Sequence, residues 1–439
     1  SFAQNIPLVD LSPFQQRIEE ERKVPVLLRV VDASGKAVGD VELLCEQVSH
    51  EFLFGNAPEY LLFAYAPSFY RRDGRFGVQP LPPEKIAEYK RLYLDLFNFA
   101  TLPAFYWKDY EPEPGQLPLK EAAHRIAKWL NDHGVPVKGH PLVWGNPPSV
   151  GVPSWVWILG QAGRWKEVEE ALFSRIRREV EEFKGLVHLW DVVNEPLVQP
   201  WFEKGLGPEY IAKVFQLVKS IDPQAVLVLN EFGLLLDRNL RKRFIERART
   251  LLEAGTPIDI IGVEAHLFTA SDIKKHLESL EEIWSALDEL ATLGKPIHVT
   301  EFQIPLPAVA TAFGVSAQKA EILQAEIAKI FYTVFFSHPA VSAITYWNFY
   351  RAWQPGSGLL RDDCTLKPLY FVLQDLIHRE WKTRILLRTG GDGTVAFRGF
   401  PGKYRITIVY PSGEKEEHVV LVHSGASNVF ILQTKGDGT

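Results

Sequence analysis

Trp190-Asp191-Val192-Val193-Asn194-Glu195-Pro196 is the stretch from which the rest of the chain can be read. Val187 to Val193 is an apolar run with β-branched residues, the composition of a strand buried on both faces, and it halts at Asn-Glu-Pro. Pro196 has no amide hydrogen and biases its predecessor toward an extended backbone. Glu195 is therefore expected to be extended, at the carboxyl end of the strand, facing whatever cleft lies there.

Outward from this strand, strand signals alternate with helix-period signals. Strands are expected near 52–55, 97–101, 135–140, 187–194, 225–230, 258–266, 296–301 and 341–348. Amphipathic helices are expected over 84–96, 121–133, 167–183, 208–221, 238–254, 273–292, 317–336 and 368–381. Eight strand-helix units point to a closed (β/α)₈ TIM barrel, an α/β fold. The alternation alone fits an open doubly wound sheet equally well, but a dinucleotide-binding sheet needs a Gly-rich turn after its first strand, and Phe54-Gly55-Asn56-Ala57-Pro58 is not one. The barrel is favoured by polar or aromatic residues at successive strand ends: Asn56, His140, Glu195, Asn230, His266, Glu301 and Trp347. That rim is where barrel enzymes keep their chemistry.

On either side of the barrel the period shifts to two. Strands near 24–31 and 41–47 flank the turn Asp32-Ala33-Ser34-Gly35-Lys36 and read as a hairpin; further strands fall at 394–398, 403–409, 417–422 and 428–432. Roughly 50 residues make a thin independent domain. We therefore expect both chain ends to form one accessory β-sandwich, with residues 1–49 and 383–439 flanking a barrel at 50–382. The pattern of strand, Val-Asp-Ala-Ser-Gly, strand, and later Asp-Gly-Thr-Val-Ala-Phe-Arg-Gly-Phe-Pro-Gly-Lys-Tyr resembles prealbumin-like accessory sandwiches. Phe397, Phe400, Tyr404 and Tyr410 read as its core rather than as a glycan-binding surface.

Composition narrows the function. A net charge of −6 argues against a nucleic-acid footprint, and the cluster Arg238, Arg241, Lys242, Arg243 reads as a solvated helix face. Cys45 and Cys364 are too few for a disulfide framework or a metal site, although one bridge stays open. No apolar run reaches the ~18 residues of a membrane span. The chain opens on Ser1, lacks Met and shows no charged-then-apolar leader, so we expect a secreted protein whose signal has been removed. The 12 Trp suit core packing, and in a cleft they suit the apolar faces of sugar rings.

A second carboxylate, Glu301, closes the short apolar strand Pro296-Ile297-His298-Val299-Thr300-Glu301, after the helix stop Gly294-Lys295-Pro296. Glu195 ends the fourth expected strand and Glu301 the seventh, so in a barrel both face one rim cleft. Either Glu alone reads equally as a salt-bridge or helix-capping carboxylate. As a pair they suit glycosidic bond hydrolysis, in which one protonated carboxyl donates to the leaving group and one ionised carboxylate attacks the anomeric carbon or activates water.

With these residues the sequence resembles the family 10 glycoside hydrolases, mostly endo-β-1,4-xylanases. The matching words are Gly139-His140-Pro141-Leu142-Val143-Trp144, Trp190 to Glu195, Gly262-Val263-Glu264-Ala265-His266, Val299-Thr300-Glu301 and Ile344-Thr345-Tyr346-Trp347, then Trp353 and Lys367-Pro368-Leu369-Tyr370. The resemblance covers roughly residues 50 to 382. It implies a retaining double displacement with Glu195 as acid/base, Glu301 as nucleophile and no metal or cofactor. In that mechanism the carboxyls stand ~5–5.5 Å apart, against ~6.5–9.5 Å for inversion. It also implies that Asn194 holds the sugar 2-hydroxyl, His140 and Trp144 line the non-reducing side, His266 orients the nucleophile, and Trp347 and Trp353 form the sugar platform. Asn230, Glu264 and Lys108 complete the expected binding residues.

The departures bear on substrate. Where the family carries a Glu-Asn pair and then a Lys, this chain has Thr101-Leu102-Pro103-Ala104-Phe105-Tyr106-Trp107-Lys108, an apolar and aromatic wall. Gln303 stands where an Asp is usual and Glu264 where a Gln is usual. Glu264 either raises the pKa of Glu301 by like-charge repulsion or serves as the charged partner of His266, and the second is the expectation. The leading reading is a monomeric hydrolase of xylan-type β-1,4-glycans, binding carbohydrate but neither nucleic acid nor membrane. The alternatives are a β-glycosidase for another β-linked glycan or small glycoside, and a non-catalytic carbohydrate-binding barrel.

Overall fold

The computed structural model describes residues 9–67, 82–147, 151–350 and 353–435. The outer ends of the two flanking segments, 1–8 and 436–439, lie outside the described residues. Two strands come first, β1 (Val24–Val31) and β2 (Glu42–Gln47). The staves of the barrel are β3 (Leu53–Asn56), β4 (Phe99–Leu102), β5 (Val137–Gly139) with its continuation β6 (Val143–Trp144), β7 (Leu189–Asn194), β8 (Val226–Glu231), β9 (Ile260–His266), β10 (Ile297–Gln303) and β11 (Val341–Tyr346). Each pairs in parallel with the next, and β11 returns to β3, so the ring closes as an eight-stranded (β/α)₈ barrel. Both β5 and β6 pair with β7, so the third stave is one strand interrupted by His140-Pro141-Leu142.

The staves are apolar on both faces because helices cover the outside while the inside is packed with side chains; β7, β9 and β10 are buried along their whole length. Helix starts follow local chemistry. Asp237 accepts from the Leu240 amide ahead of helix Arg238–Glu253, and Thr269 with Asp272 forms a capping box for helix Ala270–Leu277. The single helix expected over 273–292 is instead two, Ala270–Leu277 and Leu280–Ala291. Ser279 breaks it: its hydroxyl donates to the Lys275 carbonyl, and its own carbonyl starts the second helix by accepting from Ile283.

The solvated reading of the basic cluster holds for Arg238, Lys242 and Arg243, which are exposed, and is corrected for Arg241. Arg241 is buried, donates to the Leu234 and Leu235 carbonyls and pairs with Glu289 at 2.7 Å, whereas Arg238 stays exposed beside Glu282. A guanidinium can take three such partners at once, which sequence charge alone does not reveal.

The chain ends meet in a β-sandwich. The remaining strands are β12 (Arg384–Arg388), β13 (Thr394–Gly399), β14 (Gly402–Val409), β15 (Lys415–Val422) and β16 (Val429–Gln433). One sheet is ordered β13-β1-β16 and the other β12-β2-β14-β15, so each contains one strand from before the barrel. The hairpin expected of β1 and β2 is therefore wrong. Across the turn itself the contacts are local: the Val31–Ala37 bridge, the bonds from Val38 N–H to the Val30 carbonyl and from Asp32 N–H to the Lys36 carbonyl, and the Asp32 carboxylate accepting from Lys36 N–H. Both strands carry alternating inward apolar residues, and facing sheets let Val26, Leu28 and Val30 pack on Leu43 and Cys45 in one core. Phe397, Phe400 and Tyr404 are buried, and Tyr410 is half-buried with its hydroxyl donating to Glu416. Both cysteines are free, Cys45 within the sandwich core.

A helix at Ser12–Arg17, followed by a wider turn to Arg22, was not expected from sequence. Phe14 and Ile18 join the barrel core, and the Arg22 guanidinium caps the barrel floor by donating to the carbonyls of Phe336, His338 and Val341. Arg22→Met strands those carbonyls in a buried setting. It is predicted to lower unfolding stability by about 3 kcal/mol, seen as an earlier midpoint in denaturant titration.

Candidate active site

Glu195 follows β7 with φ at 54°, in the left-handed region, not extended as its position before Pro196 led us to expect. One tertiary and one local hydrogen bond override that bias: its amide donates to the Asn230 carbonyl at 2.8 Å, and its carbonyl accepts from the Gln199 amide at 2.9 Å. Such a backbone costs about 1–2 kcal/mol for a side chain with a Cβ. The turn ends the strand and faces the carboxyl into the barrel mouth. Glu231 fastens the following loop by accepting from the Leu197 amide.

Glu301 lies in β10, where the register against β9 slips between Val299 and Glu301. A slip of this kind re-aims side chains. Here Thr300 and Glu301, though consecutive, both reach the amide of Asn230: Thr300 Oγ1 donates to Asn230 Oδ1 at 2.6 Å, and Asn230 Nδ2 donates to Glu301 Oε2 at 3.1 Å.

Glu195 and Glu301 share one cavity of about 560 Å³ with Asn194, His140, Trp144, His266, Trp347, Trp353 and Glu264. Two expected binding residues do not face it. Asn230 is fully buried beneath the floor, where Nδ2 also donates to Asn194 Oδ1 at 2.7 Å, so it positions the site instead of touching a ligand. Lys108 lines a neighbouring pocket with Asp109 and Glu113, because the short helix Trp107–Tyr110 buries Trp107 and Tyr110 and turns Lys108 away. Sequence reading missed Glu59, Phe232 and Phe268 as cavity walls, whereas Tyr106, part of the expected aromatic wall, does line the cavity. Tyr106 stood within the aromatic run after the second strand, and its ring lies 5.4 Å from His140 and 5.6 Å from Trp144. Glu59 lies beyond the end of β3, too far past the strand for a strand-end rule to flag.

The floor is held by buried charges and close packing. His140 Nδ1 and Lys138 Nζ meet Asp191 Oδ2 at 2.6 and 3.1 Å. Burial pushes the Asp191 carboxyl up, but Lys138 and His140 outweigh it and hold the group below its usual range. A proton on Nδ1 directs the other ring nitrogen of His140 to the cavity side. Gly262 leaves room for the Asn230 amide, since a Cβ there would lie 2.4 Å from Asn230 Oδ1.

The carboxyls are driven apart. Burial first, then the charges of Glu301 and Glu231, push Glu195 up to about 8. Burial would also raise Glu301, but the hydrogen bond from His266 Nε2 at 2.9 Å and the neighbouring imidazoles outweigh it, and the group falls below its usual value. Glu264 is pushed well above its usual value by burial and by Glu301 and Glu195. It lies 3.7 Å from His266, within ion-pair reach but beyond hydrogen-bond distance, whereas Glu301 lies at 2.9 Å, so the imidazole serves Glu301 first. Gln303 accepts from Asn348 at 2.6 Å as part of the packing. Ligand atoms of Glu264, His266 and Glu301 lie within 4.8 Å of one another. Within this cluster His266 Nε2 is hydrogen-bonded to Glu301, and burial with the neighbouring carboxyls favours the protonated form of Glu264.

This geometry sits in a chain that matches the model of Glycosyl hydrolase family 10 over residues 75–375. The chain belongs to that family. It is 29% identical over 353 residues to endo-1,4-beta-xylanase B of Thermotoga neapolitana, covering 70% of this chain and 95% of that one. The anti-sigma-I factor RsgI6 of Acetivibrio thermocellus is 26% identical over 418 residues, 94% of this chain, so that likeness extends into the sandwich; this chain spans 48% of that protein's length. The solved xylanase 10B of Thermotoga petrophila, in complex with xylobiose, superposes with a TM-score of 0.59 at 25% identity, over 75% of this chain and 95% of its own.

Gly262→Ala is predicted to push the Asn230 amide off Glu301 and Asn194. Stability falls by about 1–3 kcal/mol, and glycosidase turnover falls further than this loss of folded protein explains.

Proposed function

We propose that the chain is a retaining β-glycoside hydrolase of xylan-type β-1,4-linked chains, working by double displacement. What carries this is the unequal setting of two carboxyls in one cavity: His266 hydrogen-bonds Glu301 and favours its ionised form, while burial and the neighbouring carboxylates favour the proton on Glu195. The Glu301 carboxylate attacks the anomeric carbon as Glu195 protonates the departing oxygen, leaving a glycosyl ester on Glu301. Glu195, now ionised, takes a proton from water, which attacks that carbon and frees Glu301. Asn194 offers its NH₂ to the sugar 2-hydroxyl, since its Oδ1 is engaged by Asn230. Both proton transfers use carboxyl groups, so the reaction as written needs no metal or cofactor.

A second reading, action on another β-linked glycan or a small glycoside, is favoured by the wall from Pro103 to Trp107, where Ala104 and Phe105 are fully buried and cannot grip hydroxyls. In this proposal the sandwich of β1, β2 and β12 to β16 braces the barrel: Phe397 and Tyr404 fill its own core, and Phe400 packs into the core of the barrel. The enzyme acts as a monomer, because one chain lines the whole cavity, and outside the cell, because polymeric xylan does not cross membranes. Among the described residues no helix is long and apolar enough to span a bilayer.

Turnover of aryl β-xyloside, aryl β-glucoside and xylan separates the two substrate readings, and no turnover on any of them overturns both. Glu301→Ala is predicted to abolish turnover. Glu195→Ala is predicted to cost about 10²–10⁴-fold on xylan, and far less on a dinitrophenyl glycoside whose leaving group needs no proton. For the unaltered enzyme, kcat/KM on xylan falls as pH rises through about 8, where Glu195 loses the proton it must donate. It falls on the acid side only below the usual glutamate range, where Glu301 gains one.

A further inference from the structure

Glu264 is a third carboxyl at the cavity floor that the double displacement does not use. It pairs in register with Glu301 across β9 and β10, is 6% exposed and faces the same cavity. Carboxylates this close in a buried setting do not ionise together. The donors decide which one keeps its charge. His266 Nε2 lies 2.9 Å from Glu301 and 3.7 Å from Glu264. Asn230 Nδ2 has two hydrogens for three oxygens, and Glu264 Oε2, at 3.3 Å, is the farthest, behind Asn194 at 2.7 Å and Glu301 at 3.1 Å. Glu264 is left with the weakest donors and therefore with the proton.

We propose that Glu264 works only as the neutral acid, offering its O–H to the sugar seated over Glu301, and that its ionisation disables the nucleophile by placing a second negative charge beside it. The inference rests on the glycosidase reading above. The charged groups that bear on Glu264 are Glu301 on β10, Glu195 just after β7, Glu231 on β8, Asp191 on β7 and His266 on its own strand. Across an adjoining crevice lie Asp237, Arg238, Asp272, Lys275 and His276. All four carboxyls disfavour a charge on Glu264. A glutamine keeps a donor at this position without the proton.

The test removes the alkaline limb due to Glu195 by using a Glu195→Ala background with a dinitrophenyl β-xylobioside. The burst of dinitrophenolate is followed across alkaline pH. Glu195→Ala is predicted to lose burst rate by about tenfold per pH unit once Glu264 ionises, whereas Glu195→Ala/Glu264→Gln stays level. Circular dichroism confirms that the single variant Glu264→Gln keeps the fold. Parallel profiles in the two backgrounds, or loss of the burst at every pH on Glu264→Gln, overturn the proposal. No burst from either background while the unaltered enzyme gives one overturns it too. No turnover of the dinitrophenyl substrate by the unaltered enzyme overturns the glycosidase reading instead, and the inference with it.

Discussion

Carboxyl groups that share one buried cavity compete for charge, and the outcome depends on where the hydrogen-bond donors and imidazoles stand. In this chain Glu195, Glu264 and Glu301 face the same space. Burial lifts all of them, and only Glu301 has a histidine at hydrogen-bond distance to reverse that lift. Protons are thereby favoured on Glu195 and Glu264 and the negative charge on Glu301, the group proposed to attack. The proton on Glu195 is thus a consequence of its neighbours and surroundings, not of anything in the Asn-Glu-Pro motif itself.

The scaffold serves that arrangement through a few contacts beneath the floor. The single amide of Asn230 links Asn194, Thr300, Glu264 and Glu301, which belong to three other staves of the barrel. Its place depends on the missing side chain of Gly262. Under His140, Asp191 is paired with Lys138 inside the barrel, a fully buried ionic contact that fixes the imidazole. Buried ion pairs of this kind give little net stability, and what they supply here is orientation.

Most of this was legible in the sequence where regular periodicity carries information. The eight staves, Ala317–Phe336 as a helix and the two glutamates at matching strand ends all follow from apolar runs and their stops. What was not legible depends on distant partners. The left-handed Glu195 is set by a carbonyl on the next stave. The separation of β1 from β2 is set by strands that come some 350 residues later in the chain. The turning away of Lys108, the burial of Arg241 and the preference of His266 for Glu301 over Glu264 are likewise three-dimensional choices. A motif can put a residue at the rim, but whether it lines the cavity or supports it from below depends on its neighbours.

The central claim is that Glu301 is the ionised nucleophile and Glu195 and Glu264 are not. Incubation with a dinitrophenyl 2-deoxy-2-fluoro-β-xylobioside slows hydrolysis of the glycosyl ester and lets it accumulate. Mass spectrometry of the digested enzyme then locates the added sugar. The account predicts one fluoroxylobiosyl group on the carboxyl of Glu301. Labelling of Glu195 or Glu264, or turnover of the parent substrate with no covalent adduct, contradicts it.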